Sequence, residues 1–238
     1  MNNFRSRERG NVLFLILIAV ALFASLGFAV SNIMRSGNPT TIADEQARIF
    51  AGEILDYGRT LRQAIQTLRI SNGCSDTDIS FEGAASLSYA HTPVADDACK
   101  IFDPLGGGLS YLSPNSQILA TSLPSGVFMH GEFLFGDLFI EGVGTAGDSE
   151  LIARLRYLSK NICTAINDSL GIENPNDDAP VDANFTSYSQ FDGDYLSVAD
   201  ASNTIDTPQT RGKMAGCVQM NGSPVQNGYY FYQVLLPR

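Results

Sequence analysis

Between Arg9 and Arg35 the chain carries no charged residue, and the stretch from Gly10 to Met34 is almost entirely apolar. A helix rises 1.5 Å per residue, so about 20 such residues cross a hydrocarbon core of roughly 30 Å. The run Asn11–Val30 meets that length. A cleaved secretory signal has an apolar region of only about 7–15 residues, closed by small residues at the cut. Here the run is longer, and Ala29-Val30-Ser31 is a poor cleavage pattern. The expectation is a membrane-spanning anchor, and every other part of the chain has to be arranged around it.

The flanks set the direction. Arg5, Arg7 and Arg9 precede the run against the single Glu8. The whole chain has 15 Lys/Arg and 25 Asp/Glu, so the remainder holds 12 against 24, a net charge of 12 − 24 = −12. Lys and Arg near a span stay on the cytoplasmic side. The N-terminus is therefore expected on the cytoplasmic side of the membrane, with the acidic remainder outside.

That acidity bears on partners. Phosphate contacts need clustered Lys/Arg, and none cluster beyond the N-terminus, so nucleic acid is not an expected partner. Cys74, Cys99, Cys163 and Cys217 all fall on the exported side, and an even count in an oxidising compartment reads as two disulfides with three possible pairings. The preferred pairing is Cys74–Cys99 with Cys163–Cys217, because the first brackets one compact segment. None of the four has the close spacing of a zinc knuckle.

After the anchor, Gly37-Asn38-Pro39 predicts a break, and Thr41 to Asp44 a fresh helix start. Apolar residues then recur at Phe50, Ile54, Tyr57, Leu61, Ile65 and Leu68, one stripe of an amphipathic helix ending near Gly73. Short strands are expected at Ile79–Phe81 and Lys100–Phe102. An antiparallel meander is expected over Val127–Met129, Glu132–Phe135 and Leu138–Val143. Thr145 to Asp148 resembles a capping box, so Leu151, Leu155, Leu158, Ile162, Ile166 and Leu170 read as the stripe of a second helix. Cys217–Met220 and Tyr229–Leu236 read as a closing hairpin, with Tyr229, Phe231, Gln233 and Leu235 on one face.

The fold class is then α+β: a long N-terminal helix, half transmembrane and half amphipathic, followed by an antiparallel-sheet head with a second helix and two disulfides. The divisions are a basic leader over 1–10, a transmembrane helix over 11–36, an amphipathic helix over 39–71 and a periplasmic head over 72–238.

Signs of chemistry are few. Gly106-Gly107-Gly108 lacks the Lys-Ser/Thr of a phosphate loop and reads as a turn. His91 and His130 sit in turn-like settings. The acidic loops Asp192-Gly193-Asp194 and Asp177-Asp178 with Asp182 offer oxygen ligands of the kind Ca²⁺ accepts, without the EF-hand spacing. No catalytic or cofactor-binding residue is assigned, and calcium at Asp192 and Asp194 is the one candidate ligand.

A short basic leader ending in Arg9-Gly10, an apolar run beginning at once with Asn11, and continuation into an amphipathic helix form a pattern. It resembles the type IV pilin and type II secretion pseudopilin superfamily. The resemblance covers about the first 70 residues in layout. It implies that a prepilin peptidase cuts between Gly10 and Asn11. It also implies that the partners are other pilin or pseudopilin subunits, an inner-membrane assembly platform and the membrane itself. Members usually begin the mature chain with Phe or Met and carry Glu fifth; here those places hold Asn11 and Leu15. In the family that Glu is thought to neutralise a neighbour's terminal amine in an apolar filament core, where unpaired charge is costly. Tip-type minor subunits resemble this chain in lacking it, so a minor, pilin-like subunit is expected. The rival expectation is a single-pass anchored periplasmic domain that binds a ligand or hydrolyses a cell-wall substrate.

Overall fold

The computed structural model describes residues 11–35, 39–84, 88–120, 131–182, 190–220 and 228–238. The leader with Gly10, the break at Gly37-Asn38, the expected strand Val127–Met129 and His130 lie outside the described residues. The chain divides into two compact units, one ending at Glu45 and the other running Gln46–Arg238.

In the first unit, α1 (Asn11–Arg35) is one uninterrupted helix. Ser25, set among large apolar side chains, returns its Oγ–H to the Leu22 carbonyl at 2.8 Å. That leaves the helix surface free of unmet polar groups at mid-length. Over the residues whose side chains are described, no helix is long and apolar enough to cross a membrane. In α1 those residues are 14–28, whereas its helical backbone runs for 25 residues.

The next helix, α2 (Pro39–Thr67), opens on a proline, whose fixed φ and missing N–H suit the first helical position. Within the second unit, Ile54, Tyr57, Leu61, Ile65 and Leu68 form the buried stripe that the sequence spacing indicates. Gly58 lets the helix approach the sheet, since a Cβ there would stand 2.9 Å from Gln233 Cγ. The helix widens into a π-turn over Leu68–Asn72 and stops at Gly73, which adopts φ +72°.

The sheet has six strands: β1 (Phe133–Ile140), β2 (Glu150–Leu158), β3 (Val181–Asp182), β4 (Thr204–Ile205), β5 (Ala215–Met220) and β6 (Gly228–Leu236). Their spatial order is β3-β5-β6-β2-β1-β4. The four inner strands are antiparallel, while the two-residue edge strands β3 and β4 run parallel to their neighbours. The sheet is therefore mixed, where the sequence pattern suggests a purely antiparallel one. The closing hairpin is present as β5 and β6. On the face turned to α2 and α3 lie Phe231, Leu235 and Gln233; Tyr230, Tyr232 and Val234 occupy the other.

Two sequence expectations are corrected. The breaks expected at Gly136-Asp137 are absent, and β1 runs straight through them with every residue buried. The second helix does not begin near Leu151. Residues Glu150–Leu158 are the central strand β2, and only Lys160–Leu170 is helical, as α3. A spacing of four is a multiple of two, so Leu151 and Leu155 suit a strand as well as a helix. Leu158 breaks the alternation, and the structure restores it with a bulge: Tyr157 takes φ +62°, and the register with β6 shifts between Arg156 and Leu158. Leu158 thereby returns to the face of Leu151, Ala153 and Leu155.

The remaining segments fasten the core. Cys74–Cys99 ties the end of α2 to the Ser80↔Lys100 bridge, and Cys163–Cys217 ties α3 to β5. The expected strands Ile79–Phe81 and Lys100–Phe102 reduce to that single parallel bridge, and Gly106-Gly107-Gly108 is a turn closed onto Lys100 and Asp103. Beyond β4, the side of β1 that faces no strand is satisfied by phenols. The Phe133 amide donates to Tyr111 Oη at 2.8 Å and the Phe135 amide to Tyr89 Oη at 2.8 Å. Side chains thus close an edge that would otherwise expose unpaired amides.

Candidate functional site

Three places bear on function, and the first two hold the residues expected from sequence. Asn11 opens α1, and on that helix Phe14 (62 % exposed), Leu15 (58 %), Phe23 (76 %) and Phe28 (70 %) all face outward. Residues 14–28 are exposed all the way round. The described part of α1 is thus apolar all the way round rather than along one stripe.

Of the acidic loops, Asp192-Gly193-Asp194 folds against His91. The Thr92 amide donates to the Asp192 carbonyl at 2.7 Å, and Gly193 (φ +103°) packs so closely that a Cβ would stand 2.7 Å from the imidazole Cε1. His91 Nδ1 bonds to the Pro93 carbonyl at 2.7 Å, and the ring meets Phe191 edge-on. The Asp192 carboxylate turns back to the Asp194 amide, as in an ordinary Asx turn. The other acidic loop is dispersed: Asp178 pairs with Lys160 and Tyr229, while Asp182 accepts from the Asp206 amide. Among the described residues no three His, Cys, Asp or Glu side chains gather as a metal site would require.

The third place was not foreseen. The turn joining β1 to β2 forms one wall of a surface pocket of about 290 Å³, lined mostly by apolar groups that include Phe139, Ile140, Val143 and Ala199. Glu150, 1 % exposed, contributes its carboxyl. Its Oε2 accepts the Ile140 amide at 3.0 Å, continuing the β1–β2 ladder one step past its last main-chain pair, Leu138↔Glu150. Burial raises the Glu150 carboxyl to about 7, against the pull of two main-chain amides and the Arg238 charge, with Asp148 adding to the rise. Behind it Asp137, also buried, accepts from Ser149 Oγ at 2.9 Å and from the Leu196 amide at 2.5 Å, which locks the start of β2 to β1.

Sequence spacing could not find Glu150, because reading 151–170 as one helix puts it in a solvated first turn. A carboxylate flanked by Ser149 and the alternating Leu151, Ala153, Leu155 is the only trace it leaves. No protein-family model matches the chain, and no curated protein or solved structure matches it either.

Proposed function

We propose that this protein is a membrane-anchored, pilin-like structural subunit of a type IV pilus or type II secretion pseudopilus, and a minor one. The observation that carries the reading is α1: 24 helical residues without a charge before Arg35, with the large side chains of residues 14–28 turned outward. At 1.5 Å per residue the helix is about 37 Å long, enough for a span of about 30 Å with room for tilt. The arginines before it and the acidic chain after it favour a cytoplasmic N-terminus and a periplasmic head. A buried amphipathic helix lying on a sheet, held by two disulfides, suits a head that works in an oxidising compartment.

In this reading the anchor holds the subunit in the inner membrane until an assembly platform extracts it. Neighbouring helices then replace lipid around α1. Leu15 offers no carboxylate to a neighbour's terminal amine, which favours a place where none has to be neutralised. Prepilin peptidase cuts between Gly10 and Asn11.

The second reading, an anchored periplasmic domain that binds a ligand or hydrolyses a cell-wall substrate, draws on the Glu150 pocket, since a perturbed carboxyl in a cleft is a common mark of a working site. The intact mass of the membrane-extracted protein separates the two. Loss of Met1–Gly10 in cells with an active prepilin peptidase supports the subunit; retention of those residues favours the anchored domain.

A further inference from the structure

The carboxyl of Glu150 sits where three pieces of chain meet. These are the end of β1 at Ile140, the turn over residues 142–148, and Arg238 just past β6. Gly144 shows how tight the junction is. At φ +62° its open side faces both partners, so that a Cβ would overlap the Arg238 carbonyl and stand 2.9 Å from Glu150 Oε1. The Arg238 carbonyl in turn accepts the Thr145 amide. Arg238 places its guanidinium over the Tyr195 ring, 3.8 Å from the centroid. The turn and the end of the chain are therefore fastened to each other directly over the carboxyl.

We propose that Glu150 is a proton-operated latch: protonated, it lies buried and keeps the 142–148 turn closed on Arg238; ionised, it draws water through the pocket and lets the turn lift. The charges around it make the two states unequal. From the turn, Asp148 opposes ionisation, and from the end of β6, Arg238 favours it. At the mouth of the pocket Glu141 is paired with Arg211. Asp137 takes its bonds from Ser149 and Leu196. A carboxylate whose burial outweighs its bonds gains most from hydration, and the pocket beside it is the path by which water arrives. Because Leu151 follows in the centre of the sheet, the strand itself stays in place while the turn moves.

The sign of the pH dependence follows. The folded-state value of about 7 lies above the ordinary 4.5, so between these values the folded chain holds a proton that the unfolded chain has released. The stabilisation is complete below about 4.5 and is lost as pH rises through 7. The inference is independent of the proposed function.

The test uses the full chain in detergent. Hydrogen exchange of residues 141–149 and 236–238, corrected for the intrinsic effect of pH, is compared at pH 5.5 and 8.5 in the wild type and in Glu150→Gln. Gln keeps the shape and the acceptor for Ile140 but cannot ionise. The wild type should lose protection at least about tenfold in these residues at the higher pH, with β6 unchanged elsewhere. Glu150→Gln should stay closed at both. Equal loss in the variant overturns the latch, as does a wild type that is equally protected at both pH values. If the variant does not fold, the pH response of the wild type alone decides by the same criterion.

Discussion

The side chain of Asn167 pairs with the main chain of Cys217 as a strand would: its Oδ1 accepts the Cys217 amide at 2.9 Å, and its Nδ2 donates to the Cys217 carbonyl at 2.9 Å. Cys163, one helical turn earlier on α3, is joined to the same residue by the disulfide. Two positions four apart on one helix face thus fix α3 to a single point on β5. Both contacts are fully buried, so the packing of Ile162 and Ile166 on the sheet has one possible register.

Replacing Asn167 by Leu leaves the Cys217 amide and carbonyl buried without their partner. A lost buried hydrogen bond of this kind costs about 1–3 kcal/mol per group, so the variant should unfold at clearly lower denaturant concentration with an unchanged m-value. Asn167→Asp should be comparably harmful, since a carboxylate would then face the Cys217 carbonyl. A midpoint equal to wild type for both variants would show that the pairing contributes nothing.

Tyr89 makes a second test of the same physics. Its hydroxyl accepts the Phe135 amide within a stack formed by Phe81 and Phe135, whose rings lie 4.2 Å apart. Tyr89→Phe keeps the ring and removes the acceptor, and a loss of about 1–2 kcal/mol is expected by chemical denaturation. Tyr111→Phe should behave alike, because Tyr111 serves Phe133 in the same way.

The two disulfides close loops of 25 and 54 residues, which chain-entropy arguments value at roughly 3–4 kcal/mol each. Cys163→Ala with Cys217→Ala should lower the thermal midpoint more than Cys74→Ala with Cys99→Ala, since its loop is longer and its sulfurs lie deeper in the core. The reverse order by differential scanning calorimetry would refute this ranking.

Topology gives the fourth expectation. A reporter active only in the periplasm, fused after Arg238, should work, and a cytoplasmic one at the same place should stay silent. The opposite pattern removes the periplasmic head and with it the proposed subunit.

Processing gives the fifth. A bulky residue at Gly10 should block the cut before Asn11 and leave an inserted, folded protein that does not assemble. Leu15→Glu should still insert, because a carboxylate near a helix end costs far less than one at mid-membrane. Intact mass and membrane fractionation read both, and cleavage undisturbed by the Gly10 change would count against peptidase recognition.

What the sequence determined by itself is what local pattern encodes. The uncharged run of α1 fixes a long apolar helix, because it holds no proline and a single glycine to interrupt it. The stripe Ile54–Tyr57–Leu61–Ile65–Leu68 fixes the buried face of α2, since steps of three and four point one way only on a helix. The four cysteines, two by two in order, pointed to the bridges that form. Tertiary structure decided the rest. Spacing alone could not tell whether Leu151 and Leu155 belong to a helix or a strand; pairing with β1 and β6 on both sides made Glu150–Leu158 a strand. Nor could local pattern place Glu150, whose partners Ile140, Gly144 and Arg238 come from positions up to 88 residues away. Its burial, and the rise in proton affinity that burial brings, exist only once β1, β2 and β6 have closed around it.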